Sequence, residues 1–242
     1  MKKLFKLFLI TILSTSLLSA CQTNETNSNL GAVIYLFEAE DIPTLDANNA
    51  TDPISINTIG NVMEGLVMHG QNDSDIVPGV AMDWSYDEST YTWTFHLNPK
   101  SMWVNNKGEV QRQVVASDFV VSWDRVLTSD TIAYQFMLKD VAKIIHYEAI
   151  DNTTLEVTLS ENVPYFLSIM TFATAYPIAK ETLNDSFGSN AEGVWYNGPF
   201  YLSEWTHGSQ FIWTKNEAYW EADVVQTPAV VWRVIENYEP AT

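Results

Sequence analysis

The sequence has little cysteine and little positive charge. Cys21 is the only cysteine, so no intramolecular disulfide can form and the fold must rest on its apolar core. Only 12 lysine and arginine residues stand against 30 aspartate and glutamate residues, which gives a formal net charge of −18. Nucleic acid and anionic lipid head groups repel such a surface, which argues against both as partners.

Patterns of catalysis and metal binding are also missing. The four histidines, His69, His96, His146 and His207, are scattered, and none has metal-ligand spacing to a cysteine or to another histidine. There is no glycine-rich phosphate loop and no G-x-S-x-G nucleophile elbow. We therefore predict a protein that is not an enzyme and that has no cofactor and no metal site built from these residues.

The N-terminal segment has the pattern of an export signal. Three lysines precede an apolar run over residues 7–18, which is shorter than the roughly 20 residues of a membrane span and suits a signal peptide. Residues 18–21 (LSAC) form a lipobox, in which cleavage leaves Cys21 to carry a diacylglyceryl group. We predict residues 1–20 as the signal peptide and a lipoprotein anchored outside the cytoplasm on the cell membrane. The alternative is an ordinary signal peptide, with Cys21 at this position by chance.

The residues after the signal peptide change from polar to apolar. Residues 21–30 are polar and predict a flexible tether. Residues 32–37 (AVIYLF) form a continuous apolar run, which predicts a strand buried on both faces. Apolar residues at helical spacing predict a helix over residues 55–66, with Ser55 as its cap.

The rest of the chain mixes strands and helices at irregular spacing. Aromatic and apolar residues alternate with threonine and histidine over residues 91–97, which predicts a half-buried strand. Helices are also predicted from residue 117, over 131–145 and over 164–170, and strands over 155–159, 200–205, 211–215 and 228–234. This mixture predicts an α/β or α+β fold without the regular alternation of a barrel.

Eight short segments occur in the order found in one protein family. They are residues 43–46 (PTLD), 64–66 (EGL), 77–84 (VPGVAMDW) with 91–97 (YTWTFHL), 103 with 115–123 (VASDFVVSW), 155–159 (LEVTL), 164–166 (PYF), 197–200 (NGPF) and 215–220 (KNEAYW). In this order they resemble the extracytoplasmic solute-binding proteins of ABC importers that bind oligopeptides, dipeptides or nickel. Two residues depart from the pattern. Asn98 stands where the family usually has Arg or Lys, and Ala47 stands where it usually has Pro.

The resemblance implies a clamshell of the type II periplasmic-binding-protein class, in its peptide-binding cluster. Residues 31–63 and 172–242 would form part of the first lobe, and residues 64–171 the extra subdomain of that cluster. Family members are about twice as long, so we expect an incomplete clamp without a second lobe. A fragment, a truncated gene and one half of a split protein are three explanations, in that order of preference.

The resemblance also implies a ligand and its partners. The ligand would be an oligopeptide, including signalling peptides, bound by main-chain pairing to strand edges and handed to a permease with its ATPase. Alignment with the family places Ile54, Ser55 and Asn57 on the first-lobe wall, with Tyr134 reaching over from the subdomain. The alternative assigns Ile54 and Ser55 to the helix cap and Tyr134 to the core. Nickel and haem remain open as ligands.

Two other groups of residues have alternative interpretations. The acidic cluster Glu38, Glu40 and Asp41 could hold a metal or a ligand amine, but such clusters are more often solvated strand ends. The nine tryptophans could form a glycan-binding surface, although most are predicted to be core residues. A surface lipoprotein that binds glycans and a non-functional truncated remnant are therefore the competing interpretations.

Overall fold

The structure is a computed structural model that describes residues 31–70, 72 and 75–235, so the predicted signal peptide, the tether and Cys21 lie outside the described residues. The strands are β1 Ile34–Glu38, β2 Val67–His69, β3 Ile76–Pro78, β4 Ala81–Asp87, β5 Thr92–Leu97, β6 Met102–Val104, β7 Val110–Gln113, β8 Ile144–Ala149, β9 Thr154–Leu159, β10 Phe200–Thr206, β11 Gln210–Lys215 and β12 Ala229–Val234. The α-helices are α1 Pro53–Val62, α2 Ala116–Thr128 and α3 Phe166–Ile169. The predicted mixed α/β class is confirmed.

Two four-stranded sheets carry most of the regular structure. The first has the order β1-β12-β11-β10, in which β1 pairs in parallel with β12 and the other pairs are antiparallel. The second is antiparallel throughout, with the order β4-β5-β9-β8. Two short ribbons, β2-β3 and β6-β7, complete the strands of the described chain.

Each four-stranded sheet contributes to its own hydrophobic core. The core of the second sheet contains Phe95 and Val157 and the α2 residues Phe119 and Trp123, and its buried members run from Leu66 to Ala179. The period-2 alternation of β5 and the helical spacing of α2 supply these inward-facing side chains. The core of the first sheet is built from residues 42–63 and 176–230, together with Val104. The chain therefore leaves the first core after α1 and returns to it after α3.

Strand β1 is exposed, contrary to the prediction that it is buried on both faces. Tyr35 and Phe37 are 63% and 65% exposed, and the opposite face of the strand also reaches solvent. Among the described strands it lies at the edge of its sheet and pairs with β12 alone. A continuous apolar run predicts burial only where other elements cover both faces of the strand, and within the described residues β1 has no such cover.

Two helix predictions need correction. The helix predicted over 55–66 with Ser55 as its cap is α1, and Asp52 is the capping residue. Pro53 suits the first helical position because no hydrogen-bond partner is needed for its nitrogen there. The helix predicted over 131–145 is replaced by a single π-helical turn, Met137–Val141, followed by β8. Lys143 has a φ of +58°, which ends the helical geometry before β8, and of the predicted helix only Ile144 pairs with β9.

The tryptophans are mainly interior residues, as predicted. Trp103, Trp123 and Trp213 are buried. The other six are partly buried, and none of the nine is among the exposed large hydrophobic residues of the described chain. Across residues 31–70, 72 and 75–235, we find no helix with the length and apolarity needed to cross a membrane.

Candidate functional site

Three of the four predicted ligand-binding residues lie in the first turns of α1. Asp52 accepts a hydrogen bond from the Ser55 amide over 2.8 Å, which satisfies one of the free donors at the helix start. The Ser55 side chain is fully buried, and its Oγ accepts a hydrogen bond from the Thr44 amide over 3.1 Å. Ile54 is half-buried and Asn57 is exposed. Ile54 and Asn57 can therefore face a ligand, whereas Ser55 holds the preceding loop in place.

Tyr134 lies in the turn between α2 and the π-helical segment. Its side chain is half-buried, and its ring centroid lies 6.2 Å from that of Phe136, which is 45% exposed. The neighbouring Gln135 donates from Nε2 to the carbonyls of Leu127 and Ser129 over 3.2 and 2.8 Å. Among the described contacts, no hydrogen bond or ring contact joins Tyr134 to residues 54–57. The start of α1 and the Tyr134 turn are therefore connected only through other residues among the described contacts.

An ion pair joins the loop before α1 to α2. Arg125 of α2 binds both carboxylate oxygens of Asp46, with Nη1–Oδ1 and Nη2–Oδ2 distances of 2.6 and 2.5 Å. Only 5% of the Asp46 side chain is exposed. The guanidinium also lies over the Phe187 ring, 5.5 Å from its centroid. A two-pronged contact of this kind fixes both distance and orientation, because the guanidinium and carboxylate planes must match.

Asn48 extends this contact in the direction of the second core. Its Oδ1 accepts a hydrogen bond from Arg125 over 3.0 Å, and its Nδ2 donates to the Ser122 Oγ over 2.9 Å and to the Thr174 carbonyl over 3.3 Å. Asn48 is completely buried. The loop before α1 is thus bound to α2 through side chains that are satisfied inside the protein. Sequence reasoning missed this network, although Asp46 belongs to the PTLD segment.

A buried carboxyl group lies where three of the family-like segments meet. Glu64, from the EGL segment, accepts hydrogen bonds from the Tyr219 hydroxyl over 2.5 Å and from the Trp220 Nε1 over 2.9 Å. Its main chain exchanges two hydrogen bonds with the Asn197 side chain, each 3.0 Å long. Burial raises the pKa of Glu64 to about 7, although the two side-chain hydrogen bonds act to lower it. The EGL, NGPF and KNEAYW segments were identified in the sequence, but only the fold shows that they meet around Glu64.

Close backbone packing beside Glu64 requires glycine at position 198. A Cβ atom there would lie 2.7 Å from the Met63 nitrogen. This distance is too short for any other residue without a shift of the end of α1. The NGPF segment therefore packs its main chain directly against the C-terminal end of that helix.

An open cavity of about 240 Å³ adjoins the same end of α1. Its lining residues include Gly60, Glu64, Met68, His69 and Thr171. The Thr171 Oγ1 and His69 Nε2 atoms are 3.0 Å apart. The cavity combines an apolar thioether surface with polar hydroxyl and imidazole surfaces. It lies at the C-terminal end of α1, away from the capped N-terminus.

One member of the acidic cluster at the end of β1, Asp41, forms a structural contact. Asp41 accepts hydrogen bonds from the Trp205 Nε1 over 2.7 Å and from the Gly208 amide over 3.1 Å, and its Oδ2 lies 2.7 Å from the His207 Nδ1. Burial alone would raise the pKa of Asp41, but these hydrogen bonds outweigh it and lower the pKa. Within the described residues no group of acidic, histidine or cysteine side chains could hold a metal ion. Asp41 therefore connects the end of β1 to the β10–β11 turn.

A sequence model described as "Bacterial extracellular solute-binding proteins, family 5 Middle" matches residues 75–242. The chain belongs to this family. The family and the relatives named below are solute-binding proteins and not enzymes, as the sequence predicts. The predicted resemblance is thereby confirmed.

Relatives with named ligands match almost the whole chain but less than half of their own length. The dipeptide-binding protein DppE of Bacillus subtilis is 28% identical over 98% of this chain and 47% of that protein. The oligopeptide-binding protein AliA of Streptococcus pneumoniae is 26% identical over 99% of this chain and 39% of that protein. This chain therefore spans less than half the length of these relatives.

Solved structures give the same result for the fold. The substrate-binding domain of an oligopeptide ABC transporter from Bacillus anthracis superposes with a TM-score of 0.77 at 29% identity, over 85% of this chain and 42% of that chain. Listeria monocytogenes OppA bound to peptide superposes with a TM-score of 0.75 at 26% identity, over 84% and 42% of the two chains. The fold is thus that of part of an oligopeptide-binding protein.

Proposed function

We propose that this chain captures oligopeptides as the solute-binding component of an ABC importer. The observation that carries the proposal is its likeness to Listeria monocytogenes OppA, whose structure contains a bound peptide, at a TM-score of 0.75. The names of DppE and AliA, a dipeptide-binding and an oligopeptide-binding protein, support the same class of ligand. Signalling peptides fall within this class.

The proposed ligand wall is the exposed start of α1 together with the Tyr134 turn. Ile54 and Asn57 offer apolar and amide surface next to main-chain groups at the helix start, and Tyr134 offers a half-buried ring. An extended peptide gains affinity from main-chain hydrogen bonds and accepts varied side chains in roomy pockets. The wall needs no charged side chain of its own, which suits a carrier of peptides with varied sequences.

The two cores support a division into a first lobe and a subdomain. One core draws on residues 42–63 and 176–230, which fall within the proposed first-lobe ranges 31–63 and 172–242, and on Val104 from the proposed subdomain. The other draws on residues 66–179, most of them within the proposed subdomain, 64–171. Arg125 and Asn48 lie between the two cores, so the network around them would determine how the subdomain sits on the lobe.

Anchoring and transport partners belong to the same proposal. The LSAC lipobox supports lipid attachment at Cys21 and a position outside the cytoplasm on the cell membrane. A protein held there delivers its ligand to membrane-embedded permease subunits that are driven by an ATPase. The acidic composition of the chain, with a formal net charge of −18 over the whole sequence, favours contact with basic patches on those subunits over contact with anionic lipid.

Titration calorimetry with mixed oligopeptides and with free amino acids tests the proposed function. We expect saturable heat with oligopeptides and none with an equimolar mixture of the free amino acids, because main-chain pairing needs consecutive peptide bonds. The Asn57→Ala and Tyr134→Ala variants should weaken this binding, while Glu148→Ala at an exposed position of β8 serves as the matched control. Equal heats with peptides and free amino acids, or no heat from a folded chain, would exclude peptide capture.

A further inference from the structure

The C-terminal half of α2 is connected to both parts of the proposed ligand wall. On one side Arg125 binds the Asp46 carboxylate through two contacts. On the other side the carbonyls of Leu127 and Ser129 accept hydrogen bonds from Gln135, the neighbour of Tyr134. The two parts of the wall, which have no hydrogen bond or ring contact with each other among the described contacts, therefore share one anchor.

The connection from Arg125 to α1 is continuous. The Asp46 amide donates to the Thr44 Oγ1 over 3.0 Å, and the Thr44 amide donates to the Ser55 Oγ over 3.1 Å. The loop also closes on itself, since the Asp46 carbonyl accepts hydrogen bonds from the amides of Asn49 and Ala50. A shift of the Asp46 carboxylate would therefore be passed to Ser55 and to the first turn of α1 through hydrogen bonds alone.

Tight packing behind the loop prevents it from adjusting independently. Gly188 has a φ of +80°, and a Cβ atom there would lie 2.5 Å from the Asp46 nitrogen. The Gly188 carbonyl accepts a hydrogen bond from the Leu45 amide over 2.7 Å. The loop is thus held between the Gly188 segment on one side and Arg125 on the other, with little free space to relax.

We propose that Arg125 is a positioning residue that sets the spacing between the start of α1 and the Tyr134 turn. The inference rests on the proposed function, because the spacing matters for a peptide lying between these two surfaces. Arg125 has no contact with such a peptide in this assignment. It acts through Asp46, Thr44 and Ser55 on one part of the wall, and α2 itself acts through Gln135 on the other.

The chain contains a closely matched control for Arg125, the β7 residue Arg112, whose ion pair lies at the other end of α2. Arg112 binds both oxygens of Asp118 on α2 with distances of 2.7 and 2.8 Å, and it also binds Glu181. The two ion pairs are almost equally buried, at 27% and 2% exposure for Arg112 and Asp118 and 29% and 5% for Arg125 and Asp46. Replacement by lysine keeps the charge in both cases but loses the planar two-pronged contact.

Pulsed electron paramagnetic resonance measures the proposed spacing without any ligand. Spin labels are placed at the exposed positions Asn57 and Ala133 in a chain whose only cysteine is replaced, Cys21→Ala. We expect Arg125→Lys to shift and broaden the distance distribution between the labels, and Arg112→Lys to leave it unchanged. Gln135→Ala, which cuts the other arm without touching an ion pair, should also broaden it and serves as the second variant if Arg125→Lys does not fold.

Peptide affinity is then measured on unlabelled protein. Arg125→Lys should weaken oligopeptide binding about tenfold, equivalent to about 1.4 kcal/mol, while Arg112→Lys should lower only the melting temperature. An unchanged distance distribution in both Arg125→Lys and Gln135→Ala, or equal broadening in Arg112→Lys, would overturn the positioning role. A broadened distribution in a protein that binds no peptide would instead refute the proposed function and leave the positioning role intact.

Discussion

Replacement of Glu64 by glutamine should remove one pH-dependent part of the stability of this protein. The carboxyl group is 1% exposed and receives hydrogen bonds from Tyr219 and Trp220. A glutamine side chain has the same shape and no charge. Its carbonyl can accept from the Trp220 Nε1, and its amide can donate to the Tyr219 oxygen, so Glu64→Gln keeps a hydrogen bond to each partner while the Tyr219 hydroxyl hydrogen loses its acceptor.

The magnitude follows from the pKa shift of Glu64. Burial raises its pKa in the folded protein from 4.5 to about 7. Between these two values the folded protein holds a proton that the unfolded chain has released, so the free energy of unfolding falls as the pH rises. The fall amounts to about 3 kcal/mol, because one pKa unit corresponds to about 1.4 kcal/mol. Above about pH 7 both states are ionised and this contribution no longer changes.

Urea denaturation of both proteins at acidic and alkaline pH tests this expectation. The free energy of unfolding of Glu64→Gln minus that of the original chain should be larger at pH ~8 than at pH ~5 by about 3 kcal/mol. Glu181→Gln provides a control that should show no pH effect in this range. The hydrogen bond from Arg112 lowers the pKa of Glu181 from 4.5, so the stability that this carboxylate contributes is lost only below about pH 4.5 and stays constant between pH ~5 and pH ~8. An equal difference between Glu64→Gln and the original chain at both pH values would refute the buried-carboxyl argument.

Three further predictions concern anchoring, binding and local stability. Cys21→Ala should release the protein from membranes or leave an uncleaved precursor in cell fractionation, and unchanged membrane attachment would refute the lipid anchor. Calorimetry on this chain alone should give a peptide dissociation constant of about 0.1 mM or weaker, which corresponds to a binding free energy near −5.5 kcal/mol. The reason is that a single wall removes water from only one side of a ligand. Sub-micromolar binding by the monomer would contradict this. Amide hydrogens of the exposed edge strand β1 should exchange faster than those of β5 and β9, and equal protection would show that β1 is covered.

Much of the fold could be predicted because its signals are local. The alternation in β5 and the spacing of buried residues in α2 are periodic patterns that an isolated segment already contains. Burial of β1 was predicted wrongly, since exposure depends on which elements pack over a strand. The helix prediction over 131–145 was wrong for a related reason, because the helical geometry ends at Lys143 and Ile144 already pairs with β9, a tertiary contact that local propensity does not contain.

The candidate site was harder to predict than the fold. Ser55 was identified as a wall residue and a cap, but its side chain serves the loop through Thr44, and Asp52 is the cap. The Asp46–Arg125 contact joins residues 79 positions apart. No periodicity or spacing rule links two such residues, and only the meeting of two cores brings them together.

The most direct test of peptide capture is a nuclear magnetic resonance titration of the folded chain with mixed oligopeptides. Peptide binding at the proposed wall should shift the amide signals of residues 52–57 and 133–136 in a saturable manner. The amide signals of β5 and β9, which lie in the second sheet, should stay unchanged. Shifts restricted to other parts of the chain, or none at millimolar peptide, would contradict the account of this chain as a peptide-binding protein.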